Sequence, residues 1–322
     1  MSDKPTIDIT LDGAPRTIEA GTTGTLLLQD AIKSDGVVAM RVNGESWDLD
    51  RRLPAGAVVE PIALSSEDGL NILRHSATHV MAQAVQEMFP QVNLGIGPFI
   101  TDGFYYDFGA IDAVTPEMLR EIEKRMKRIV KEGQRFVRRD ITEAEGREEL
   151  ADQPYKLELI TTKGAGAEGA SVEVGAGGLT MYDNVRRDGS VAWTDLCRGP
   201  HLPSTRLIGQ GFALTKSSSA YWKGDQSGDS LQRIYGTAWA SKDDLKAYQT
   251  RLAEAARRDH RKLGAELDLY SFPEEIGPGL VVFHPKGAML RHQIEQYVVD
   301  RHMDYGFDFV HTPEISKGGL FH

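Results

Sequence analysis

The feature that most constrains this chain is a repeated spacing in two short segments, HSATH at 75–79 and DLCRGPH at 195–201. Each segment carries two potential metal-ligating or proton-transferring side chains four residues apart. The first pair is His75 and His79, within a run of helix-forming residues that ends at Pro90. Residues four apart lie on one face of a helix, so both imidazoles are predicted to project from the same side.

The start and the buried face of this helix also follow from the sequence. Ser65 and Asp68 predict a capping box at its N-terminus. Apolar residues at helical spacing form a stripe roughly opposite the two histidines: Leu73, Ala77, Val80, Ala84 and Met88. The helix is therefore predicted to bury one face and to offer two histidines from the other.

The second segment cannot be helical, because Gly199 and Pro200 stand between Cys197 and His201 and break helical hydrogen bonding. A loop is expected to carry both side chains to the helix. Three imidazoles and the single thiol of the chain would form a plausible zinc quartet, since all four are good zinc ligands. The competing interpretation is two pairs of ordinary surface or core residues, and spacing alone does not decide whether a metal binds.

Composition sets the broad class. The chain has 322 residues, a formal net charge of −10 and one cysteine, which excludes an internal disulfide framework and predicts a reducing, cytoplasmic location. We found no apolar run long enough to span a membrane and no signal-peptide core at the N-terminus. Local basic stretches at 120–139 and 257–262 leave RNA binding open despite the acidic total.

The first 64 residues are predicted to form a separate domain. Strands are expected at Thr6 to Thr10, Val37 to Val42 and Val58 to Ile62, with a short helix at Leu26 to Ile32. This order suggests a β-grasp, ubiquitin-like fold. The segment contains no histidine or cysteine, so a binding or spacing module is the expected function.

From about residue 65 to 239 the pattern predicts an α+β arrangement. Thr101 to Gly103 is expected to turn a hairpin, and Pro116 is expected to open a basic helix that ends near Gly133. Gly164, Gly166 and Gly169 have the spacing of a dinucleotide-binding loop. This interpretation is rejected, because the residues that follow do not predict the helix that such a loop requires. A flexible loop is expected there instead.

The remaining residues predict a connector and the start of another domain. Ser241 and Asp244 form a second capping box, which starts a helix of about two dozen residues. A further helix is expected at Lys286 to Tyr305, followed by a strand at 307–311 and by Pro313.

Several motifs, in this order, resemble the N-terminal portion of bacterial-type threonyl-tRNA synthetases: HSATH, GFYYDF, DLCRGPH, AYWKGD, LQRIYGTAW and RRDHRKLGAELDLYSF. The resemblance covers essentially the whole chain. It implies a TGS β-grasp domain, an α+β editing domain, a linker helix and a truncated start of the antiparallel class II catalytic core that includes motif 1. The corresponding ranges are 1–64, 65–240, 241–265 and 266–322.

The resemblance also implies an activity. Full-length members use ATP to attach threonine to tRNA(Thr), and their editing domain hydrolyses mischarged seryl-tRNA(Thr). The further motifs of the core cannot fit after Pro313, so this portion is expected to edit and not to aminoacylate. ATP, Mg, zinc and a homodimer are expected for the full-length enzyme, with ligands beyond residue 322, whereas editing is expected to need no cofactor. A non-catalytic tRNA-binding fragment and a zinc-dependent hydrolase of a small substrate remain the alternatives.

Matching the family's motifs assigns candidate residues to the editing site. The candidate catalytic residues are His75, His79, Lys156, Asp195, Cys197 and His201. The candidate substrate-binding residues are Gly95, Gly97 and Tyr105. Within this set, the resemblance implies that His75 orients the terminal ribose, Lys156 holds the attacking water and Asp195 accepts the substrate amino group.

Overall fold

The computed structural model of the chain describes residues 5–163, 174 and 178–314. It divides into two compact units, Met1–Ala247 and Tyr248–His322. Helices and several sheets alternate along the chain, which confirms the predicted mixture of α and β structure. The glycine pattern at 164–169 lies outside the described residues.

The first unit begins with a five-stranded sheet in the order β2-β1-β5-β3-β4. Its strands are β1 Thr6–Leu11, β2 Ala14–Glu19, β3 Val37–Val42, β4 Glu45–Trp47 and β5 Val58–Ala63. Strands β1 and β5 pair in parallel, and the other neighbours are antiparallel. Two short helices, α1 Gly24–Leu27 and α2 Gln29–Ser34, replace the single predicted one. The sheet has its own hydrophobic core, which includes Ile9, Met40 and Val59.

Helix α3, Glu67–Met88, runs through the centre of the next region. Ser66 caps it by accepting a hydrogen bond from the Gly69 N–H at 3.1 Å, so the predicted Ser65 cap was wrong by one residue. Every residue from Ile72 to Val85 is buried. The prediction that only one face is buried was therefore incomplete, because the histidine face is also covered.

Two antiparallel sheets pack around α3. One has the order β11-β10-β9, from β9 Arg135–Ile141, β10 Leu179–Val185 and β11 Val191–Leu196. The other has the order β12-β13-β8-β6, with β7 also paired to β8. Its strands are β6 Asn93–Leu94, β7 Phe99–Ile100, β8 Gly103–Gly109, β12 Phe212–Tyr221 and β13 Ser230–Ala238. The β7–β8 pair is the hairpin expected at residues 101–103.

Three more helices complete this region. Helix α4, Pro116–Glu132, has Pro116 in its first turn and ends at Gly133 in a left-handed conformation, as the sequence predicts. Helix α5 spans Glu143–Glu149 and begins with a capping box. Helix α6, Pro154–Thr162, is short, and its buried side chains include a lysine.

The predicted connector is two helices, not one: α7 Lys242–Arg257 and α8 His260–Glu266. Asp259 separates them, because its carboxylate accepts from the Arg261 N–H at 2.8 Å and caps the start of α8. The second unit continues with the paired strands β14 Tyr270–Ser271 and β15 Val282–Phe283 and with helix α9, Pro285–Asp304.

The strand predicted at 307–311 does not form. Phe307, Phe309 and Val310 are exposed, and the described residues supply no partner strand beside them. Without a neighbouring strand, the alternating apolar pattern has no ladder to join. Among the described residues, no helix is both long and apolar enough to cross a membrane.

Candidate functional site

Four side chains predicted to form one site converge beside the middle of α3. His75 and His79 are 3% and 2% exposed, and their ring centroids lie 5.4 Å apart. Cys197 and His201 come from the loop after β11 and are also buried. Cys197 Sγ lies 3.0 Å from His75 Nε2 and 3.4 Å from His201 Nε2. The fold therefore joins the helical pair to the loop pair across more than a hundred residues of sequence.

A serine beside the first histidine ties the loop to the helix. Ser76 Oγ accepts a hydrogen bond from the Leu202 N–H at 3.0 Å and bonds to His201 Nδ1 at 3.1 Å. At the other end of the loop, the Cys197 N–H donates to the Thr180 carbonyl at 3.1 Å. Sequence analysis missed Ser76, although a hydroxyl between the two histidines of a buried helix was a usable signal.

Lys156 and Asp195 form an ion pair that is completely buried. Lys156 Nζ on α6 lies 3.0 Å from Asp195 Oδ1, and both side chains are 0% exposed. Asp195 also accepts hydrogen bonds from the Tyr106 hydroxyl at 2.6 Å and from the Leu196 N–H at 2.8 Å. Burial raises the pKa of Asp195, while Lys156 and the hydrogen bonds oppose that change. A buried charge is stable only when it is paired in this way.

The structure separates two adjacent tyrosines of β8. Tyr106 reaches Asp195, whereas Tyr105 packs against Tyr235, with ring centroids 5.8 Å apart, and lies under the Arg233 guanidinium at 3.8 Å. Neighbouring residues of a strand point to opposite faces, so the two phenols cannot share one site. The prediction named Tyr105, but the tyrosine that the fold brings to the candidate site is Tyr106.

The two candidate glycines lie where the chain approaches β8. A Cβ on Gly97 would sit 2.3 Å from a Tyr106 ring carbon and 3.3 Å from Thr78 Oγ1, so a side chain there would displace the wall of the site. Gly95 contacts Asp107 instead: its N–H donates to the Asp107 carbonyl at 2.8 Å, and a Cβ there would sit 2.8 Å from the same oxygen. Of the two candidate glycines, Gly97 is thus the one that contacts the wall of the site.

The imidazoles are neutral at physiological pH. Burial lowers the pKa of His75 to about 4, partly offset by the Gly97 backbone and reinforced by the charge on Lys156. Burial and the neighbouring imidazoles also hold the pKa values of His79 and His201 well below the usual range. The site therefore combines one cation, one carboxylate and three neutral rings, which can accept or donate hydrogen bonds without carrying charge.

Acidification is expected to destabilise the metal-free chain. In the unfolded chain the histidines take up protons near pH 6.5, whereas folded His75 does so only near 4. Each buried histidine should therefore lower the free energy of unfolding as pH drops from 6.5 towards 4, by up to about 1.4 kcal/mol per pH unit. Buried Asp195, whose pKa is raised, contributes a slope of the opposite sign. Urea denaturation with chelator present, at several pH values in this window, measures the slope. A His79→Gln variant lacks one of these histidine contributions, so its free energy of unfolding should fall less on acidification than that of the parent, and an unchanged slope would contradict the expectation.

The same four residues also suit a metal ion by ligand type. One ligand atom from each of His75, His79, Cys197 and His201 can be chosen so that all lie within 4.8 Å of one another. His79 Nδ1 is buried without a hydrogen-bond partner among the described residues. In a tetrahedral zinc site the ligand atoms stand roughly 3.5 Å apart, so the quartet would have to contract around the ion.

Part of the candidate site lies in a segment that matches a known protein family. Residues 178–235, which contain Asp195, Cys197 and His201, match the family described as threonyl and alanyl tRNA synthetase second additional domain. This domain is an editing domain. Sequence analysis had assigned the three residues to an editing site from the DLCRGPH motif.

Curated relatives match along nearly the whole chain. The threonine--tRNA ligase of Cutibacterium acnes is 73% identical over 319 residues, covering 98% of this chain and 46% of the relative. The enzymes of Thermobifida fusca and Micrococcus luteus are each 57% identical, covering 100% of this chain and 49% and 48% of the relatives. The chain spans about half the length of these relatives. It is therefore homologous, from end to end, to about half of a threonine--tRNA ligase, an aminoacyl-tRNA synthetase.

Proposed function

We propose that this chain is the N-terminal portion of a threonine--tRNA ligase. Residues 1–64 would be the TGS domain, 65–240 the editing domain, 241–265 the linker and 266–322 the start of a class II catalytic core. The whole protein would attach threonine to tRNA(Thr) as a homodimer, with ATP, Mg and zinc bound in that core. The identity to relatives of that name supports this proposal.

For the portion described, the activity supported best is hydrolysis of seryl-tRNA(Thr). The observation that carries it is the buried pair of Lys156 and Asp195 next to neutral His75 and Cys197, partly within the segment that matches an editing domain. A protein rarely buries a cation and a carboxylate together unless packing and hydrogen bonds are specific. Ionisable groups with shifted pKa values in such a setting are typical of a reactive site.

The need for this activity has a physical basis. Serine lacks one methyl group of threonine, and a missing methyl typically changes binding free energy by only ~1–3 kcal/mol. A synthetic site therefore charges some serine by mistake. A second site that excludes the threonine methyl can hydrolyse seryl-tRNA selectively, because both binding steps then discriminate.

The residue roles are those that the family resemblance implies, assigned to the side chains that converge in the structure. Asp195 would accept the substrate ammonium group, and Lys156 would hold the attacking water. His75 would hydrogen bond to the terminal ribose, and the backbone around Gly97 would line the acyl side chain. The water oxygen bonds to the acyl carbon, the ester bond to the ribose oxygen breaks, and that oxygen leaves with a proton. Free serine and uncharged tRNA result.

Deacylation of seryl-tRNA(Thr) and threonyl-tRNA(Thr) by this chain, with and without chelator, tests the proposal. Loss of serine faster than threonine, and unaffected by chelator, is the expected result. Hydrolysis of neither substrate, together with retained tRNA binding, would favour a non-catalytic tRNA-binding portion. Equal hydrolysis of both would contradict a threonine-excluding site.

A zinc-dependent hydrolase is the alternative candidate, and the ligand type of the three histidines and the cysteine is the observation compatible with it. If it is correct, the purified chain contains stoichiometric zinc by elemental analysis and loses activity on chelation. It would also hydrolyse small esters and show no preference for tRNA. A zinc-free chain that deacylates seryl-tRNA would exclude this candidate.

A further inference from the structure

A carboxylate of the first sheet reaches the candidate site. Asp48 follows β4, and its Oδ1 accepts a hydrogen bond from the backbone N–H of His201 at 2.8 Å. Its Oδ2 accepts a second hydrogen bond from the Tyr182 hydroxyl at 2.6 Å. One side chain from residues 1–64 thus contacts strand β10 and the loop after β11, both more than a hundred residues away in the sequence.

Both partners of Asp48 belong to the wall of the site. The Tyr182 ring lies edge-on to His201, with centroids 4.5 Å apart, and 6.4 Å from the ring of His79. The loop passes so close to this tyrosine that a Cβ on Gly199 would sit 1.9 Å from its hydroxyl oxygen, and Gly199 has φ +69°. The position of the Tyr182 hydroxyl therefore decides where the loop runs, and with it where His201 lies.

A small cleft beside this contact can admit water when the Asp48 carboxylate is removed by substitution. The cleft has a volume of about 140 Å³, and its lining includes Asp48, Arg51, Arg138 and His201. Water entering it could replace the carboxylate as hydrogen-bond acceptor. Removal of the carboxylate should then loosen the loop without leaving a buried N–H unpaired.

We propose that Asp48 is a positioning residue for deacylation: by holding the His201 backbone and the Tyr182 hydroxyl together, it keeps the His201 ring in place against His75 and Cys197. The first sheet thereby controls the geometry of a site to which it contributes no reacting group. This inference rests on the proposed function, because positioning matters only if the site hydrolyses an ester.

Single-turnover deacylation of seryl-tRNA(Thr) by Asp48→Ala and Asp48→Asn variants tests the proposal. Asp48→Ala should lower the rate constant at saturating enzyme by about 10- to 100-fold, the usual effect of losing hydrogen bonds to a charged group, with little change in the concentration for half-maximal rate. Asp48→Asn keeps an acceptor for the His201 N–H and should recover most of the rate. Asp50→Ala, which removes a nearby carboxylate that bonds to Thr25, is the matched control and should behave as the parent.

The histidine ring signals of ¹⁵N-labelled protein provide a readout that does not depend on activity. His201 should shift in Asp48→Ala and remain near its parent position in Asp50→Ala. If the parent chain does not deacylate but this shift occurs, the proposed function fails, and what stands is only that Asp48 holds His201 in place. Unchanged His201 signals, or an Asp48→Ala variant as fast as the parent, would overturn the inference. Equal loss of rate in Asp48→Ala and Asp48→Asn would also overturn it, since the retained acceptor should matter.

Discussion

Replacement of Lys156 by methionine is expected to lower seryl-tRNA deacylation by at least about 100-fold and to destabilise the fold by about 3–5 kcal/mol. Methionine fills a similar volume but leaves the carboxylate of Asp195 buried without its cation, 3.0 Å away in the parent. The activity falls because the proposed water-holding group is lost. Stability falls because an unpaired buried charge has no solvent to compensate it.

The pH dependence of this loss identifies its cause. Burial already raises the pKa of Asp195, and the removal of Lys156 takes away the charge that opposes the rise. Between the pKa of Asp195 in the unfolded chain and its higher pKa in the folded variant, Asp195 should be protonated in the folded state and ionised in the unfolded state. A raised carboxyl pKa makes the difference in stability between variant and parent larger at alkaline pH and smaller as pH falls towards the unfolded value. Urea titrations of both proteins at matched pH values measure this difference.

A double variant separates the structural role from the catalytic role. Lys156→Met combined with Asp195→Asn removes both charges and keeps an oxygen to accept from the Tyr106 hydroxyl, so most of the lost stability should return. The activity should not return, because neither charged group remains. Lys33→Met, at an exposed lysine of α2 outside the two basic stretches, controls for loss of positive charge. A double variant that regains deacylation would show that the pair is only structural.

The local features of the fold could be predicted because the signals lie next to the residues they control. Pro116 and Gly133 mark the ends of α4, and each acts through its own backbone. The break between α7 and α8 shows where such signals compete. Helix propensity favours one continuous helix, but the Asp259 carboxylate satisfies the Arg261 N–H and starts a new helix.

The site could be predicted only in part, because its remaining members depend on distant pairing. Spacing placed His75 and His79 on one helical face, and the structure brings Cys197 to them. Which of Tyr105 and Tyr106 faces Asp195 depends on how β8 pairs with β13, which is not encoded in the local pattern. A shift of one residue in strand register exchanges the two faces.

Asp48 is the clearest example of a contact without a local signal. It lies 153 residues from His201, in a segment where the sequence shows no catalytic pattern and predicts neither a helix nor a strand. The contact exists because β3, β4 and β5 fix the loop that carries Asp48, while β10 independently places Tyr182. Only the assembled fold puts the two within hydrogen-bonding distance.

Replacement of His75 by alanine is expected to reduce the rate constant for seryl-tRNA deacylation by at least about 100-fold while tRNA binding changes little. His75 Nε2 contacts Cys197 Sγ at 3.0 Å, and its ring stacks on His201 with centroids 4.4 Å apart. Removal of the ring abolishes the proposed contact with the terminal ribose and leaves space into which His201 can turn. The orientation of the ester is then lost, whereas the tRNA body keeps its other contacts. Single-turnover kinetics and a binding titration measure the two effects separately.

Two further variants keep this prediction open to contradiction. His75→Gln retains a hydrogen-bonding side chain of similar reach, so it should recover part of the rate if His75 acts through a hydrogen bond to the ribose. Exposed His292 on α9 provides the control, since His292→Ala removes one imidazole that has no proposed role in deacylation. If His75→Ala deacylates within about threefold of the parent, His75 is not part of the mechanism. Both tRNA binding and the rate constant could instead fall together in His75→Ala and His75→Gln. The imidazole would then act by supporting the packing of α3. Lys156 and Asp195 would have to position the ester without His75.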